Sequence, residues 1–520
     1  MLYYYNTYTL AFQCNKTDKF VNFLTKNCFL YCFYIYLVLY LLGKNFFEEI
    51  IMKAILDFFT GPLNTFAWTW ALLPCVMLGG LYFTIRLRGL QIFKFGYAMK
   101  NTIGKLFKKQ NAKEGAVTPF QAVTTALAAT VGTGNIIGTS IAVSMGGYGA
   151  IFWLWIAAVF GMVIKYCEVT LSVKYREKNE KGDWVGGPMY YITNGMGKKW
   201  KWLAVAFAAF AILASFGIGN LSQANSISGS VNSAIAAFVP SVAGHELCVS
   251  VVVGIVLAAI CLFSLVGGIK RIGKVTELLI PFMSLFYIIS ALIVIFLNIG
   301  NIGEAFKNIF VGAFNPQAVC GAGCGILLKE ALVWGLKRSA FSNEAGLGSA
   351  GIAHAAADTD SPVKQGLYGV FEVFMDTLVI CTLTGLTIVV SGVEIPFGTK
   401  VGSELITSAF ATIYGTKFAS LFVAIALFFF AFSTILGWSL YGTRCVEYLF
   451  GTKFTKVYQF IFCGMIIIGC TTSLSVAWDL ADTFNGLMAI PNFVALFALS
   501  GVVAKATKEH FADPANRLKK

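Results

Sequence analysis

Apolar runs of about 20 residues, the length that crosses a bilayer, recur near 66–86, 118–143, 148–173, 200–235, 247–266, 277–299, 319–340, 365–391, 417–438, 457–476 and 485–503. The pattern predicts an all-α membrane protein of eleven transmembrane helices. Two of these runs meet small polar stretches. Thr130-Val-Gly-Thr-Gly-Asn135 interrupts the run 118–143, and Phe341-Ser-Asn-Glu-Ala-Gly-Leu-Gly-Ser-Ala350 follows the run 319–340. Backbone that leaves the helix at membrane depth loses its hydrogen-bond partners at a cost of several kcal/mol per group, and is tolerated where it lines a cavity or holds a ligand. Interruptions in corresponding positions of two halves point to a binding site near the bilayer midplane.

Composition agrees with this picture. The 520 residues are 57% hydrophobic and only 12% charged, with a mean hydropathy of +0.74, against about 25% charged in a soluble protein. A net charge of +14 would suggest nucleic acid in a soluble chain, but the basic residues sit in short loops and no nucleic-acid partner is expected. Segment 87–117 carries Arg88, Lys94, Lys100, Lys105, Lys108, Lys109 and Lys113, and every second loop thereafter repeats the bias through Lys174, Arg176, Lys270, Arg271, Lys337, Arg338, Arg444 and Lys453 to Lys505, Lys508, Arg517, Lys519 and Lys520. This alternation predicts a cytoplasmic C-terminus and residue 52 outside. Trp70, Trp153, Trp155 and Trp202 fit interfacial belts. The domain expectation is a single transmembrane domain over 52–505 followed by a basic cytoplasmic tail, 506–520. Residues 1–51 read as an upstream extension, with a twelfth span over Cys28–Leu42 as the competing reading. The 13 Cys show no metal spacing; Cys320 and Cys324 could meet across one helical turn.

The interruptions carry the chemistry. Gly132 and Gly134 permit irregular backbone and close approach of a ligand. The half-helix beginning near Asn135 offers amide N–H groups to a carboxylate. Carbonyls freed around Thr130 and Gly132, with the Thr130 or Thr133 hydroxyl, suit a cation. A glycine-rich packing face between helices is the structural alternative. In the second interruption Ser342 and Asn343 supply polar groups, while Lys337 and Arg338 within two turns favour an edge ion pair for Glu344. Asp376 has the stronger claim to burial, facing either the pathway or a backbone break. In the run 417–438, the Ser433 and Thr434 hydroxyls with the Phe430 carbonyl could complete an oxygen cage for sodium, or simply bond back to their own helix. Trp438 either roofs a pocket or anchors at the interface. Gln223 leans towards substrate contact. Lys165 and Glu168, spaced i,i+3, read as a local ion pair.

Several stretches then resemble the sodium:alanine (alanine/glycine:cation) symporter family: Gly146-Gly-Tyr-Gly-Ala-Ile-Phe-Trp153-Leu-Trp155-Ile-Ala-Ala-Val-Phe-Gly161, Val131-Gly-Thr-Gly-Asn-Ile136, Gly186-Gly-Pro-Met-Tyr-Tyr-Ile192, Gln223-Ala-Asn225, Lys337-Arg-x-x-Phe-Ser-Asn-Glu-Ala-Gly346 and Ser433-Thr-Ile-Leu-Gly-Trp438. The resemblance runs collinearly over about 52–505. Leu154 stands where Met is usual, and Ala129, where Gly is frequent, is a small departure beside the first interruption. The family is similar in fold to sodium-coupled leucine transporters, which implies a 5+5 inverted repeat preceded by one extra span, 66–86. It implies a monomeric transport unit in the plasma or inner membrane, importing alanine or glycine with Na⁺. Substrate contacts are then expected at Gly132, Thr133, Gly134, Asn135, Gln223, Phe341, Ser342, Asn343 and Trp438, and sodium contacts at Thr130, Phe430, Ser433 and Thr434.

The nearest rival keeps the machine and changes the cargo to glutamine, D-alanine or H⁺. A channel would not need two broken helices with occluding aromatics. A membrane-embedded enzyme would need convergent His, Cys or paired carboxylates, and Glu168, Glu344 and Asp376 lie on separate helices without His support.

Overall fold

The computed structural model describes residues 46–106, 112–239, 244–321, 325–513 and 516. Residues 1–45 of the expected extension, Lys108, Lys109, Cys324, Arg517, Lys519 and Lys520 lie outside them. The chain divides into two compact units, Met1–Pro62 and Leu63–Lys520. In the first, the described element is the helix Phe46–Thr60.

The second unit is a helical bundle. Nine helices among the described residues are long and apolar enough to cross a membrane, and one bent pair, Pro119–Thr130 with Gly134–Gly146, passes the same test as a broken span turned by 50°. The run expected at 319–340 behaves differently. Its helix, Leu328–Asn343, is 16 residues long and carries Lys329, Glu330, Lys337 and Arg338. It is too short and too charged to qualify alone, and it ends where the second interruption begins. The run 417–438 also differs from expectation, because its helix continues from Thr416 to Phe450. Ser433–Trp438 therefore lie inside a helix rather than at its end.

Local chemistry explains the first broken element. Helix α1, Pro119–Thr130, starts at a capping box: Thr118 Oγ1 accepts the Gln121 N–H at 3.1 Å, and Gln121 Oε1 accepts the Thr118 N–H at 3.2 Å, with Pro119 at the first position, where no N–H is needed. Val131 leaves the helix at φ −79°, ψ 86°. A π-helical turn at Gly134–Gly138 leads into α2, Thr139–Gly146. Helix α3, Ala150–Lys174, is buried along most of its length and packs against Leu328–Asn343 and Pro362–Val373. An apolar helix surrounded on all sides is a bundle centre.

Helix α4, Ser222–Phe238, follows another π-helical turn, Gly217–Leu221. Helix α5, Leu328–Asn343, ends at Glu344 in the left-handed region, φ 55°. Gly346 at φ 94° and Gly348 at φ 79° prolong the break before α6, Ala350–His354. A Cβ at Gly346 would stand 2.6 Å from the Phe493 ring and one at Gly348 2.4 Å from Pro188, so both positions need glycine for space as well as conformation. Helix α7, Pro362–Val373, passes into a π-helical turn at Phe374–Cys381. Helix α8 is Thr416–Phe450 and α9 is Leu474–Ala498. Outside the helices, a two-stranded antiparallel ribbon pairs Glu177 with Val185 and Lys178 with Trp184. A parallel bridge joins Val117 to Ala357.

Exposure sorts the belt tryptophans. Trp70 and Trp202 are 75% and 60% exposed. Trp153 and Trp155 are half-buried, their indole N–H groups donated to the Ala313 carbonyl at 2.9 Å and Thr382 Oγ1 at 2.7 Å.

Candidate functional site

The two interruptions meet. A Cβ built on Gly134 would lie 3.2 Å from Ser342 Cα and 3.3 Å from the Phe341 ring. Within the first break, the Gly132 N–H donates to Asn135 Oδ1 at 2.8 Å, and the Thr133 N–H donates to Gln223 Oε1 at 3.2 Å. Side-chain amide oxygens thus meet the very N–H groups that the sequence offers to a carboxylate. Gln223 from α4 is held from its other side by the Ile218 carbonyl at 2.8 Å, a carbonyl of the π-helical turn before it. All the residues expected to touch substrate are buried.

One carboxylate ties the two breaks together. Asp376 receives the Asn135 amide on its carbonyl at 3.0 Å and on Oδ1 at 2.7 Å, and the Ser342 hydroxyl at 3.2 and 2.9 Å on its two carboxyl oxygens. Thr377 Oγ1 adds a bond to Oδ2 at 2.6 Å. Asn343 donates to Thr377 Oγ1 at 3.1 Å and accepts the Ala345 N–H at 2.9 Å. The sequence left Asp376 between a pathway and a backbone role; its position on the irregular turn Phe374–Cys381 serves both interruptions at once. π-helical turns often mark functional sites; one in this chain carries Asp376, and another supplies the Ile218 carbonyl that holds Gln223.

Helix α8 closes the first break from the other side. A Cβ on Gly132 would fall 2.3 Å from Thr434 Oγ1 and 3.3 Å from Gln223 Oε1. The Ser433 and Thr434 hydroxyls donate to the Phe430 carbonyl at 2.8 and 3.1 Å, and Thr130 donates to the Ala126 carbonyl at 3.2 Å. The intrahelical bonds weighed for Ser433 and Thr434 are therefore present; the Thr434 oxygen stands beside Gly132, while the Ser433 hydroxyl also lies 3.6 Å from Met283 Sδ. Ala129 packs on Gly437, whose Cβ would stand 2.7 Å away.

Three readings of charged and aromatic residues need correction. Glu344 is fully buried, not an edge residue, and accepts Trp438 Nε1–H and the Ser349 hydroxyl, each at 2.6 Å. Lys337 and Arg338, its expected partners, turn instead to Asp482 on α9, at 2.6 and 3.1 Å. They lie on α5, while Glu344 has already swung away in its left-handed turn. Trp438 accordingly holds a carboxylate inside the bundle and is no interfacial anchor. Arg338 also lies over Phe341 and Trp478, whose rings stack at 4.9 Å.

The third correction concerns Lys165 and Glu168, which do not pair with each other. Lys165 Nζ lies 3.1 Å from Glu372 Oε1. Glu168 Oε1 instead accepts the Gly346 and Gly348 N–H groups at 2.9 and 3.0 Å and the Asn492 amide at 2.7 Å. In a helix buried on every face, each polar side chain follows the nearest unpaired backbone or charge rather than its i+3 neighbour. Glu168, Glu372, His354 and Asn492 are thus part of the second break's surroundings, and the sequence reading missed that role. Their signal was present: a charged residue in an apolar span is paired or functional by default.

In this bundle of membrane-spanning helices the two interruptions are drawn together at one buried carboxylate, Asp376, the arrangement expected of a transport site within the bilayer. The solved structure of MhsT in complex with L-phenylalanine is similar, with a TM-score of 0.53 at 14% identity, over 76% of this chain and 99% of that one. In sequence, the chain is 44% identical to the sodium/alanine symporter AgcS of Methanococcus maripaludis, over 86% of this chain and 95% of that protein. It is 36% identical to the probable sodium/glutamine symporter GlnT of Bacillus subtilis, over 88% and 91% of the two chains. The sodium:alanine symporter family model matches residues 52–520, and the chain belongs to that family. It is a multi-pass membrane transporter and not an enzyme.

Proposed function

We propose that the protein imports a small neutral amino acid, alanine or glycine, together with Na⁺. The observation that carries this reading is the junction of Asn135 and Ser342 on Asp376, with Gly132 against Thr434. A single pocket can then be shared by amino acid and ion. The substrate carboxylate takes the Gly132 and Thr133 N–H groups from Asn135 Oδ1 and Gln223 Oε1, with Gly134 leaving room for its approach. The ammonium meets carbonyls around Phe341, Ser342 and Asn343, with Gln223 nearby. Phe341 and Trp438 restrict side-chain volume, favouring methyl or hydrogen. Sodium is held by the Ser433 and Thr434 hydroxyls and by carbonyls at Thr130 and Phe430, hard oxygen ligands appropriate to it. Ion and substrate draw on one break, so each stabilises the geometry the other needs, and the coupling is reciprocal. We read the architecture as an extra span followed by two inverted sets of five, with the C-terminus cytoplasmic and one chain as the transport unit.

The test is uptake of radiolabelled alanine and glycine into proteoliposomes with and without an inward sodium gradient, with glutamine and D-alanine as competitors. Sodium-stimulated accumulation of alanine supports the reading. Uptake indifferent to sodium removes the ion, and stronger competition by glutamine than by glycine moves the substrate towards the one named for the Bacillus subtilis relative.

A further inference from the structure

A cavity of about 490 Å³ that no residue of either break lines opens at one end of the bundle. It lies between the helix Leu73–Arg86, with the turn that follows it, and the helix Ser500–Ala512. Arg86, Arg88, Lys94 and Lys508 are among its walls, all four exposed, and no carboxylate lines it. Lys505 of the same helix reaches Glu509 at 3.9 Å, whereas none of the four cavity cations makes an ion pair among the described residues. Two of them rest on rings instead: Arg86 lies 5.7 Å from the Tyr82 ring centre and Lys94 5.3 Å from that of Phe511. Such contacts engage the cation's charge but leave its N–H donors for an acceptor.

The walls are fixed by bonds of their own. After Arg86 the chain turns with Arg88 at φ 55° and Gly89 at φ 64°, a left-handed conformation that residues with a Cβ avoid. The Gly89 N–H donates to the Thr84 carbonyl at 2.7 Å and the Arg88 N–H to the Ile85 carbonyl at 3.1 Å. Gln91 Nε2 adds a bond to Thr84 Oγ1 at 2.7 Å. Opposite, the helix Ser500–Ala512 is held at both ends, by Tyr82 Oη 3.0 Å from Ser500 Oγ and by Tyr97 Oη 3.3 Å from His510 Nε2. Between them Thr507, a wall residue, meets Tyr166 Oη of α3 at 2.7 Å. One wall of the cavity is therefore joined to the bundle centre.

Depth and polarity then select the occupant. One candidate membrane span ends at Arg86, and Ser500 closely follows another, Trp478–Ala498. Two spans finish at the cavity, which sets its cations at the level of lipid headgroups. Leu78 and Ile85 on the first of these spans are 67% and 70% exposed, and Phe93, which lines the cavity, is 80% exposed. Uncompensated cations beside an exposed apolar flank suit a molecule that joins an anionic phosphate to hydrocarbon chains.

We propose that this cavity binds an anionic phospholipid, its phosphate shared among Arg86, Arg88, Lys94 and Lys508 and an acyl chain lying along Phe93 and Ile85. The bound lipid ties the end of the helix Leu73–Arg86 to the helix Ser500–Ala512 and, through Thr507 and Tyr166, steadies α3.

The experiment uses the full chain, purified in a nonionic detergent and stripped of lipid. The probes are dioleoyl phosphatidylglycerol, dioleoyl phosphatidylcholine and inorganic phosphate; native mass spectrometry reads binding, and thermal unfolding reads its effect. Phosphatidylglycerol should bind at least about tenfold more tightly than phosphatidylcholine and raise the unfolding temperature. Arg88→Gln with Lys508→Gln should weaken that binding about thirtyfold, about fivefold for each basic residue beside an anionic headgroup. Lys453→Gln with Lys456→Gln removes the same charge from exposed positions outside the cavity and should keep wild-type affinity. Equal binding of the two lipids, or equal losses in the two double variants, overturns the proposal. Stabilisation by inorganic phosphate as large as that by phosphatidylglycerol also overturns it, since the chains would then contribute nothing. If the first double variant does not fold, Lys94→Gln decides, with an expected loss of about fivefold. Both readouts are independent of transport, so a failure of sodium-coupled uptake leaves this test intact.

Discussion

At the scale of single residues, most of the site's logic is hydrogen bonding under conditions where a lost partner is not replaced by water. Asn135 is the clearest case: its oxygen holds the Gly132 N–H, while its nitrogen holds the Asp376 carbonyl and carboxylate. Replacing it by Ala removes bonds at both ends, one of them to a carboxylate, which is worth about 1.5–3 kcal/mol. Asn135→Ala should therefore lower sodium-driven alanine uptake by about tenfold to a hundredfold or more, with membrane insertion intact by quantitative blotting. Ser433→Ala should produce a similar loss and, unlike Asn135→Ala, should be relieved in part by raising sodium. Wild-type rates in either variant withdraw that residue from the site.

At the scale of elements, the bundle depends on a few buried charges at helix junctions. Asp482 on α9 is the partner of both Lys337 and Arg338 on α5. Asp482→Ala would strand two cations, and breaking a buried pair by removing one partner costs about 3–5 kcal/mol; the purified variant should show a markedly lower unfolding temperature. Gly348→Ala should also destabilise, because its φ of 79° and the Pro188 contact leave no place for a Cβ. An intact Gly348→Ala protein with wild-type stability would contradict the packing described. These junctions also show what could be read from sequence. The first interruption was legible, since Gly132, Thr133, Gly134 and Asn135 break an apolar run, and polar residues there have few reasons to exist. The destinations of Glu168, Glu344 and Lys165 were not. Spacing along a helix reports only neighbours on that helix, whereas these three side chains answer to Gly346, Trp438 and Glu372 on other elements. The run 319–340 misled for a related reason, because its charged half is satisfied by tertiary partners that hydropathy cannot see.

For the whole molecule, the expectation is coupling. If one net charge enters with each substrate, the membrane potential contributes about 2.3 kcal/mol per 100 mV, in addition to the sodium gradient. Reciprocity gives a check that needs no vesicles: sodium should enlarge the thermal protection given by alanine, and alanine should enlarge that given by sodium by the same free energy. Protection by each that is merely additive would mean the two do not share the break.

Asn135 and Asp376 stand 241 positions apart in the chain, and Asp376 is also where Ser342 docks. A lesion in either half is therefore felt by the other through one side chain. A genetic selection for restored growth, begun from a weakened Asn135 variant, should return compensating changes clustered at Ser342, Asp376 and Thr377 rather than scattered along the helix that carried the original defect.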